Sequence, residues 1–198
     1  MGEPADSRSA EYAARLERLG AARWRRWLDV QAPYRWQLRR LGLGRTLDLG
    51  CGIGRHLVHL PAGSVGIDPN PHAVAAARRR GCEAYGPEEF RASPRARETF
   101  DTLLVAHVLE HLPEGEAAPL LAAHLRFLHP GARVLLVTPQ EAGFRSDPSH
   151  RTFLDFDALR ELLDALGCAA ERAFSFPLPR GFGRVFPHNE FVVVGRLP

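Results

Sequence analysis

Thr46-Leu47-Asp48-Leu49-Gly50-Cys51-Gly52-Ile53-Gly54 reads as a short apolar strand that runs into three glycines at alternate positions. The run that follows, Arg55 to Leu60, has the composition of a helix. Glycine lacks a Cβ, so it takes φ > 0 and lets a ligand lie directly against the backbone. A helix starting there aims free N–H groups and the positive end of its dipole at that ligand. The turn is therefore a candidate cradle for a nucleotide-like cofactor. A glycine turn between a strand and a helix also serves purely structural ends, so the rest of the chain has to decide.

Outward from this turn the chain alternates strands and helices. Thr46–Leu49, Ser64–Ile67, Cys82–Tyr85, Thr102–Ala106 and Arg133–Val137 read as strands. Arg55–Leu60, His72–Arg80, Glu114–Leu128 and Phe156–Leu166 read as helices, the last stopped by Gly167. Such βα units predict an α/β fold with a Rossmann-like doubly wound, mostly parallel sheet. The last two strands, Ala169–Phe176 and Glu190–Gly195, have no helix between them. They should close the sheet as an antiparallel edge hairpin, for seven strands in all. Upstream, Leu16, Leu19, Trp24, Trp27 and Leu28 recur at helical spacing, and Pro33 divides the run into two helices. Residues 1–44 thus read as a helical extension and 45–198 as the core. The tryptophans read as packing residues.

The chain has 198 residues, enough for one domain with a substantial core. Its 45% hydrophobic and 25% charged residues are ordinary for a globular protein. All 26 cationic side chains are arginine and the net charge is only +3, with the arginines scattered rather than clustered. This balance does not point to nucleic acid. Cys51, Cys82 and Cys168 are few, odd in number and far apart, which predicts a reducing, cytoplasmic setting rather than a disulfide scaffold. The first residues lack the basic and apolar regions of a secretory signal, and no apolar run is long enough to span a bilayer.

The second strand ends in Val65-Gly66-Ile67-Asp68-Pro69-Asn70. An acid at that place, soon after a glycine turn, can accept both hydroxyls of a ribose, or can simply cap the next helix. The glycine spacing is G-x-G-x-G rather than the G-x-G-x-x-G of dinucleotide folds. With Asp48 just before it, the motif resembles the first motif of class I S-adenosylmethionine-dependent methyltransferases. Phe100-Asp101-Thr102-Leu103-Leu104-Val105-Ala106-His107-Val108-Leu109-Glu110-His111-Leu112 resembles that family's fourth-strand motif. Leu128-His129-Pro130-Gly131-Ala132-Arg133-Val134-Leu135-Leu136-Val137-Thr138-Pro139 resembles the segment into its fifth strand. The resemblance covers residues from about 45 to 198 and leans toward the ubiquinone-pathway (UbiG-like) or generic small-molecule subgroup.

This resemblance implies roles position by position. S-adenosylmethionine is the cofactor and S-adenosylhomocysteine the product. Gly50, Cys51, Gly52 and Gly54 approach its methionine part and ribose, and Asp48 orders the turn. Asp68 holds the ribose hydroxyls, with Pro69 and Asn70 flanking the adenosine. Glu88, or its neighbour Glu89, stands near the adenine, and Ala106 and His107 beside the methionine end.

Candidate bases should cluster after the fourth and fifth strands. His107, Glu110 and His111 fall at i, i+3 and i+4 and share a face if a helical turn starts there. The loop after the fifth strand carries His150, which this topology can bring to His111. One reading makes His111, His150 or His107 a general base for transfer to oxygen. Another has His107, Glu110, His111 and His150 bind a divalent metal that acidifies a hydroxyl. Ubiquinone-pathway O-methyltransferases and the enzymes that methylate the 3′ ends of small RNAs show E-x-x-E-H here, whereas this chain has His107 for the first Glu. A third reading leaves these residues structural. Tyr34, Arg35 and Trp36 stand where the family folds a lid. The tail, Pro177 to Phe186, reads as a mobile acceptor-facing loop.

Four functions compete. A small-molecule methyltransferase acting on oxygen, bacterial and either monomeric or homodimeric, fits best. An RNA 2′-O-methyltransferase with a divalent metal would want a broad basic surface, which is lacking. A nicotinamide-dependent oxidoreductase would want different glycine spacing. A catalytically dead binding protein would not need the intact turn and Asp68.

Overall fold

The strands form where short apolar runs are bounded by Gly, Pro and Asn. In the computed structural model, which describes residues 32–198, helix α1 (Ala32–Leu41) precedes the core. The helical reading of Leu16 to Leu28 lies outside the described residues. The order that follows is β1 (Thr46–Leu49), β2 (Val65–Ile67), α2 (Pro71–Arg79), β3 (Ala84–Tyr85), α3 (Pro87–Ala92), β4 (Phe100–Ala106), α4 (Ala117–Leu125), β5 (Leu128–Pro139), α5 (Glu141–Ser146), α6 (Phe156–Ala165), β6 (Ala169–Phe176) and β7 (Glu190–Arg196). The seven-stranded sheet has the order β3-β2-β1-β4-β5-β7-β6. This is the mixed, mostly parallel Rossmann-like sheet that the alternation of elements implies.

The chain divides after Arg97 into two compact units. In the first, β1, β2 and β3 pair in parallel, with Leu47 opposite Val65 and Gly66 opposite Ala84. Every residue of β1 and β2 is buried, as expected of strands covered on both faces. Helix α2 begins at Pro71 because Asn70 caps it, its side chain accepting the N–H groups of His72 and Ala73. Its buried face, Ala73, Val74, Ala76 and Ala77, is mostly alanine. Small side chains let the helix approach closely, and the Cys51, Leu57, Val74, Ala77 and Ala84 cluster fills the space. Trp36 is a departure from the packing expectation. It is 57% exposed, its ring covered by the Arg40 guanidinium at 5.0 Å.

In the second unit β4 and β5 pair in parallel, while β7 runs antiparallel between β5 and β6. The edge strand β6 exposes its first four residues. Glu171 there pairs with Arg196 of β7, so charge marks the open edge. Helix α6 is capped by Asp155, which accepts from Asp157 and Ala158 N–H. It buries Leu159 and Leu163, one turn apart.

Three local readings need correction. Arg55–Leu60 is not a helix: only Leu57–His59 forms a 3-10 turn. Pro61 forces Leu60 into extended backbone, ψ 157, and stops the coil after one turn. The helix-dipole argument for the glycine turn therefore lapses. Helix α4 is shorter than Glu114–Leu128, because Pro119 has no N–H to give the carbonyl four residues back and Gly115 is left-handed at φ 85. β5 starts at Leu128, before the sequence pattern shows it, and slips in register between Phe100 and Thr102. The short helices α3 and α5 lack enough periodicity to be read beforehand.

Gly66 shows how tightly the first unit packs. A Cβ there would lie 2.6 Å from Cys51 Sγ and 2.7 Å from Leu57 Cδ2. Gly66→Ala should destabilise the fold by about 1–3 kcal/mol through overpacking. Urea unfolding would detect this as a lower midpoint with an unchanged slope.

Candidate active site

The glycine turn in the first unit is held by backbone bonds. The Gly50 and Cys51 N–H groups both donate to Ile67 O, at 2.8 and 3.1 Å. Gly50, Gly52 and Gly54 all have positive φ, at 77, 53 and 77°, a region costly to residues with a Cβ. Beyond that the glycines differ. A Cβ on Gly54 would meet Cys82 Sγ at 2.9 Å and Ala77 Cβ at 3.3 Å, so this glycine serves packing. A Cβ on Gly52 would have nothing within 4 Å, so this backbone faces open space. Cys51 is buried, and burial first, then the Asp48 and Asp68 charges, push its thiol well above the ordinary range. It is a packing group rather than a nucleophile.

Asp68 is buried and accepts one backbone bond on each oxygen: Gly52 N–H at 2.7 Å and Asn70 N–H at 2.8 Å. These bonds aim the carboxylate across the turn. Burial raises its pKa, against the two backbone donors that lower it. The helix cap that sequence alone allowed for Asp68 belongs instead to Asn70. Pro69 lies between them. Glu88 is on α3 with an exposed side chain paired to Arg91. Glu89 accepts the Gly86 N–H and pairs with Arg78.

Asp48 is 1% exposed, and its Oδ2 has no hydrogen-bond partner. Burial, then the Asp68 charge, push its pKa up to about 7. The residues fit the methionine-nucleoside cofactor: an open glycine backbone, an orphaned buried carboxyl oxygen, and an aimed carboxylate.

The second unit gathers the histidines. β4 ends at the buried Ala106, and the chain turns at once through His107, whose φ is 58. Left-handed backbone at a residue with a Cβ costs about 1–3 kcal/mol. Two ionic bonds offset it. Nδ1 of His107 lies 3.1 Å from Glu110 Oε1, and Nε2 lies 2.8 Å from Glu190 Oε1. Both carboxylates are buried. Burial pulls the His107 pKa down, but the Glu190 charge and the bonds to both carboxylates outweigh it and raise it to about 10. With both nitrogens donating, His107 has no lone pair to take a proton. The shared helical face with Glu110 and His111 does not form, because only Leu109–His111 coil, as a 3-10 turn.

His111 and His150 do come together, with ring centroids 4.8 Å apart. The cause is backbone pairing: Glu110 O accepts the N–H groups of Arg151 and Thr152, at 2.7 and 3.2 Å. Thr152 Oγ1 adds a bond to Leu112 O. Nδ1 of His150 lies 2.9 Å from Phe144 O, and its ring stacks on Phe144. A carbonyl only accepts, so the neutral His150 ring carries its proton on Nδ1 and its lone pair on Nε2. Ser149 Oγ is 3.2 Å from His111 Nδ1. Burial first, with His150 beside it, lowers the His111 pKa against the Glu110 and Asp147 charges. Glu110, His111 and His150 can each offer a ligand atom within 4.8 Å of the others. Glu110 Oε2 is buried without a hydrogen-bond partner.

The tail between β6 and β7, read from sequence as mobile, is pinned. Asn189 donates to Gln140 Oε1 and accepts from Leu178 N–H. Arg180 forms a bidentate pair with Glu141, at 2.9 and 2.5 Å. Neither Gln140 nor Asn189 stood out in the sequence. Only their burial at 0% exposure marks them.

Residues 47–136 match the family model described as a methyltransferase domain. A structure of a SAM-dependent methyltransferase from Archaeoglobus fulgidus superposes with a TM-score of 0.65 at 18% identity, over 82% of this chain and 92% of that one. Magnesium protoporphyrin IX methyltransferase from Synechocystis PCC 6803 with bound SAH gives 0.61 at 15% identity, over 86% of each chain. The DhpI–SAH complex gives 0.64 at 24% identity, over 97% and 96%. These likenesses carry the fold. No curated protein matches the sequence. Among the described residues no helix is long and apolar enough to cross a membrane.

The Asp48 environment has a measurable consequence. Its carboxyl binds a proton more tightly folded than unfolded, so stability is greatest at low pH for this group. That contribution is lost as pH rises from about 4 toward 7, at up to about 1.4 kcal/mol per pH unit. Asp48→Asn should flatten that slope in denaturant unfolding measured across the window. An identical slope in the variant would contradict the assignment.

Proposed function

We propose that this chain is a class I S-adenosylmethionine-dependent methyltransferase that transfers the methyl group to an oxygen of a small acceptor, with His111 or His150 taking the acceptor's proton. The cofactor supplies a methyl group activated by a sulfonium. The Gly50–Gly54 turn, Asp48 and Asp68 would hold it. The nicotinamide alternative has no support from the matched domain.

The observation that carries the reading is the His111–His150 pair. An oxygen acceptor must lose a proton, and a base for it needs a lone pair within hydrogen-bond reach. His150 has that lone pair on Nε2, and the lowered pKa of His111 keeps it neutral near pH 7. His107, doubly bonded to carboxylates, is a fixed positive group at the end of β4 and serves position rather than proton transfer. The scattered arginines favour a small acceptor over RNA.

A second reading rests on Glu110. Its unpartnered buried oxygen, beside two imidazoles, is a donor set suited to a divalent transition ion. Such an ion would acidify a bound hydroxyl. The two readings separate cleanly. Transfer of labelled methyl from S-adenosylmethionine to a panel of small hydroxyl, carboxyl and amine acceptors identifies the accepting atom. With the oxygen acceptor so found, His111→Ala or His150→Ala should lower turnover by about 10²-fold or more, with cofactor affinity retained. Full activity after chelation, with loss in these variants, supports the base. Activity lost on chelation and restored by Mn²⁺ supports the metal. Labelling of amines alone, or full turnover in both variants, would sink the proposal.

A further inference from the structure

His111 is the member of the pair with a side-chain partner at Nδ1, beside a backbone bond from its ring to Ser149. Its Nδ1 lies 3.2 Å from Ser149 Oγ. That same hydroxyl lies 2.7 Å from Asp147 Oδ1. A serine hydroxyl has a single proton, and an ionised carboxylate only accepts. The hydroxyl proton therefore goes to Asp147, and the Ser149 oxygen is left to accept from His111. The imidazole must then carry its own proton on Nδ1.

The loop holds the relay in register. Ser149 N–H also donates to Asp147 Oδ1, at 3.0 Å. His150 N–H donates to Asp147 O, at 3.2 Å. The backbone bonds from Arg151 and Thr152 to Glu110 O then fix this loop against the turn that carries His111. One five-residue stretch, Asp147 to Arg151, sets the proton on His111 and presents His150 beside it.

We propose that Ser149 and Asp147 are positioning residues that lock His111 in its Nδ1–H tautomer and so present its Nε2 lone pair to the acceptor. The inference rests on the reading of His111 as a working group of the site. It extends that reading in a specific direction. His150 reaches the same tautomer through Phe144 O, so both rings offer the same nitrogen. A backbone carbonyl at His150 and the Ser–Asp relay at His111 favour one protonation pattern. A purely packing role for His111 would not require either nitrogen to be specified. Asp147 also counters the positive charge that His111 would acquire on taking a proton, the pattern in which an acidic residue behind a histidine sets tautomer and stabilises the imidazolium.

The tautomer measurement needs no acceptor. Long-range ¹H–¹⁵N spectra of the whole protein, at about pH 8 where an ordinary imidazole is neutral, report which ring nitrogen carries the proton. His111 signals are identified by their loss in His111→Gln. Wild type should show His111 and His150 both protonated on Nδ1. Ser149→Ala should abolish the single tautomer at His111, while His150 keeps its own as the internal reference. Ser149→Thr, which retains the hydroxyl, should restore it. If Ser149→Ala also disturbs His150, Asp147→Ala decides, because it frees the Ser149 proton to donate to His111 Nδ1. Loss of the Nδ1–H form there supports the relay. A proton on Nε2 of His111 in wild type, or an unchanged Nδ1–H form in both variants, overturns it. Full turnover in His111→Ala with the tautomer pattern as expected would instead remove the base role and leave the relay standing.

Discussion

The chain can leave β1 only through left-handed backbone. Gly50, Gly52 and Gly54 all lie at positive φ, and side chains with a Cβ are strained there. This constraint folds the turn back so that two N–H groups reach one carbonyl, Ile67 O, at the end of β2. It also puts Gly52 N–H against Asp68. The Asp68 carboxylate is thus aimed by the glycine turn itself. One left-handed glycine is needed for what it leaves open and another for what packs against it. The same spacing therefore leaves one backbone position open and packs another.

The second unit solves a similar problem with a histidine. His107 takes φ 58 at the end of β4, and no glycine relieves it. Its strain is offset by charge-assisted bonds to Glu110 and Glu190, stronger than neutral ones. Glu190 belongs to β7, so the turn after β4 is tied to a strand 83 residues away in the chain. The cost is a buried carboxylate with one oxygen left over, Glu110 Oε2. The Glu110 charge lies beside His111 and works against the lowering of its pKa by burial. That charge favours whatever positive group forms there, whether an imidazolium made by proton transfer or a bound cation.

Much of the fold was legible because its signals are local. Apolar runs with glycine, proline and asparagine between them mark β1, β2, β4 and β7 whatever their neighbours do. The failures have equally physical causes. Arg55–Leu60 carries helical composition, but Pro61 acts backwards on Leu60 and leaves only a 3-10 turn. Helix α5 is six residues long, too short to show a period. Gln140 and Asn189 looked like ordinary polar residues, and their roles as pins come from burial and geometry. Asp68 was open to two readings, ribose acceptor or helix cap. The second passed to Asn70 once the backbone bonds could be seen.

The sequence by itself determined the order of strands and helices, the left-handed glycine turn and the acid that follows β2. Those properties depend on residues near one another in the chain, where φ preferences, capping and periodicity act directly. Only the tertiary structure decided which partners His107, His111 and His150 meet. His107, Glu110 and His111 are close in sequence, yet His107 is claimed by Glu190 from a distant strand. His111 is claimed by Ser149 and His150 from the loop after β5. A histidine's protonation and tautomer follow from the partner at each ring nitrogen. Those partners are brought in by the sheet and its connections, so no local pattern could assign them.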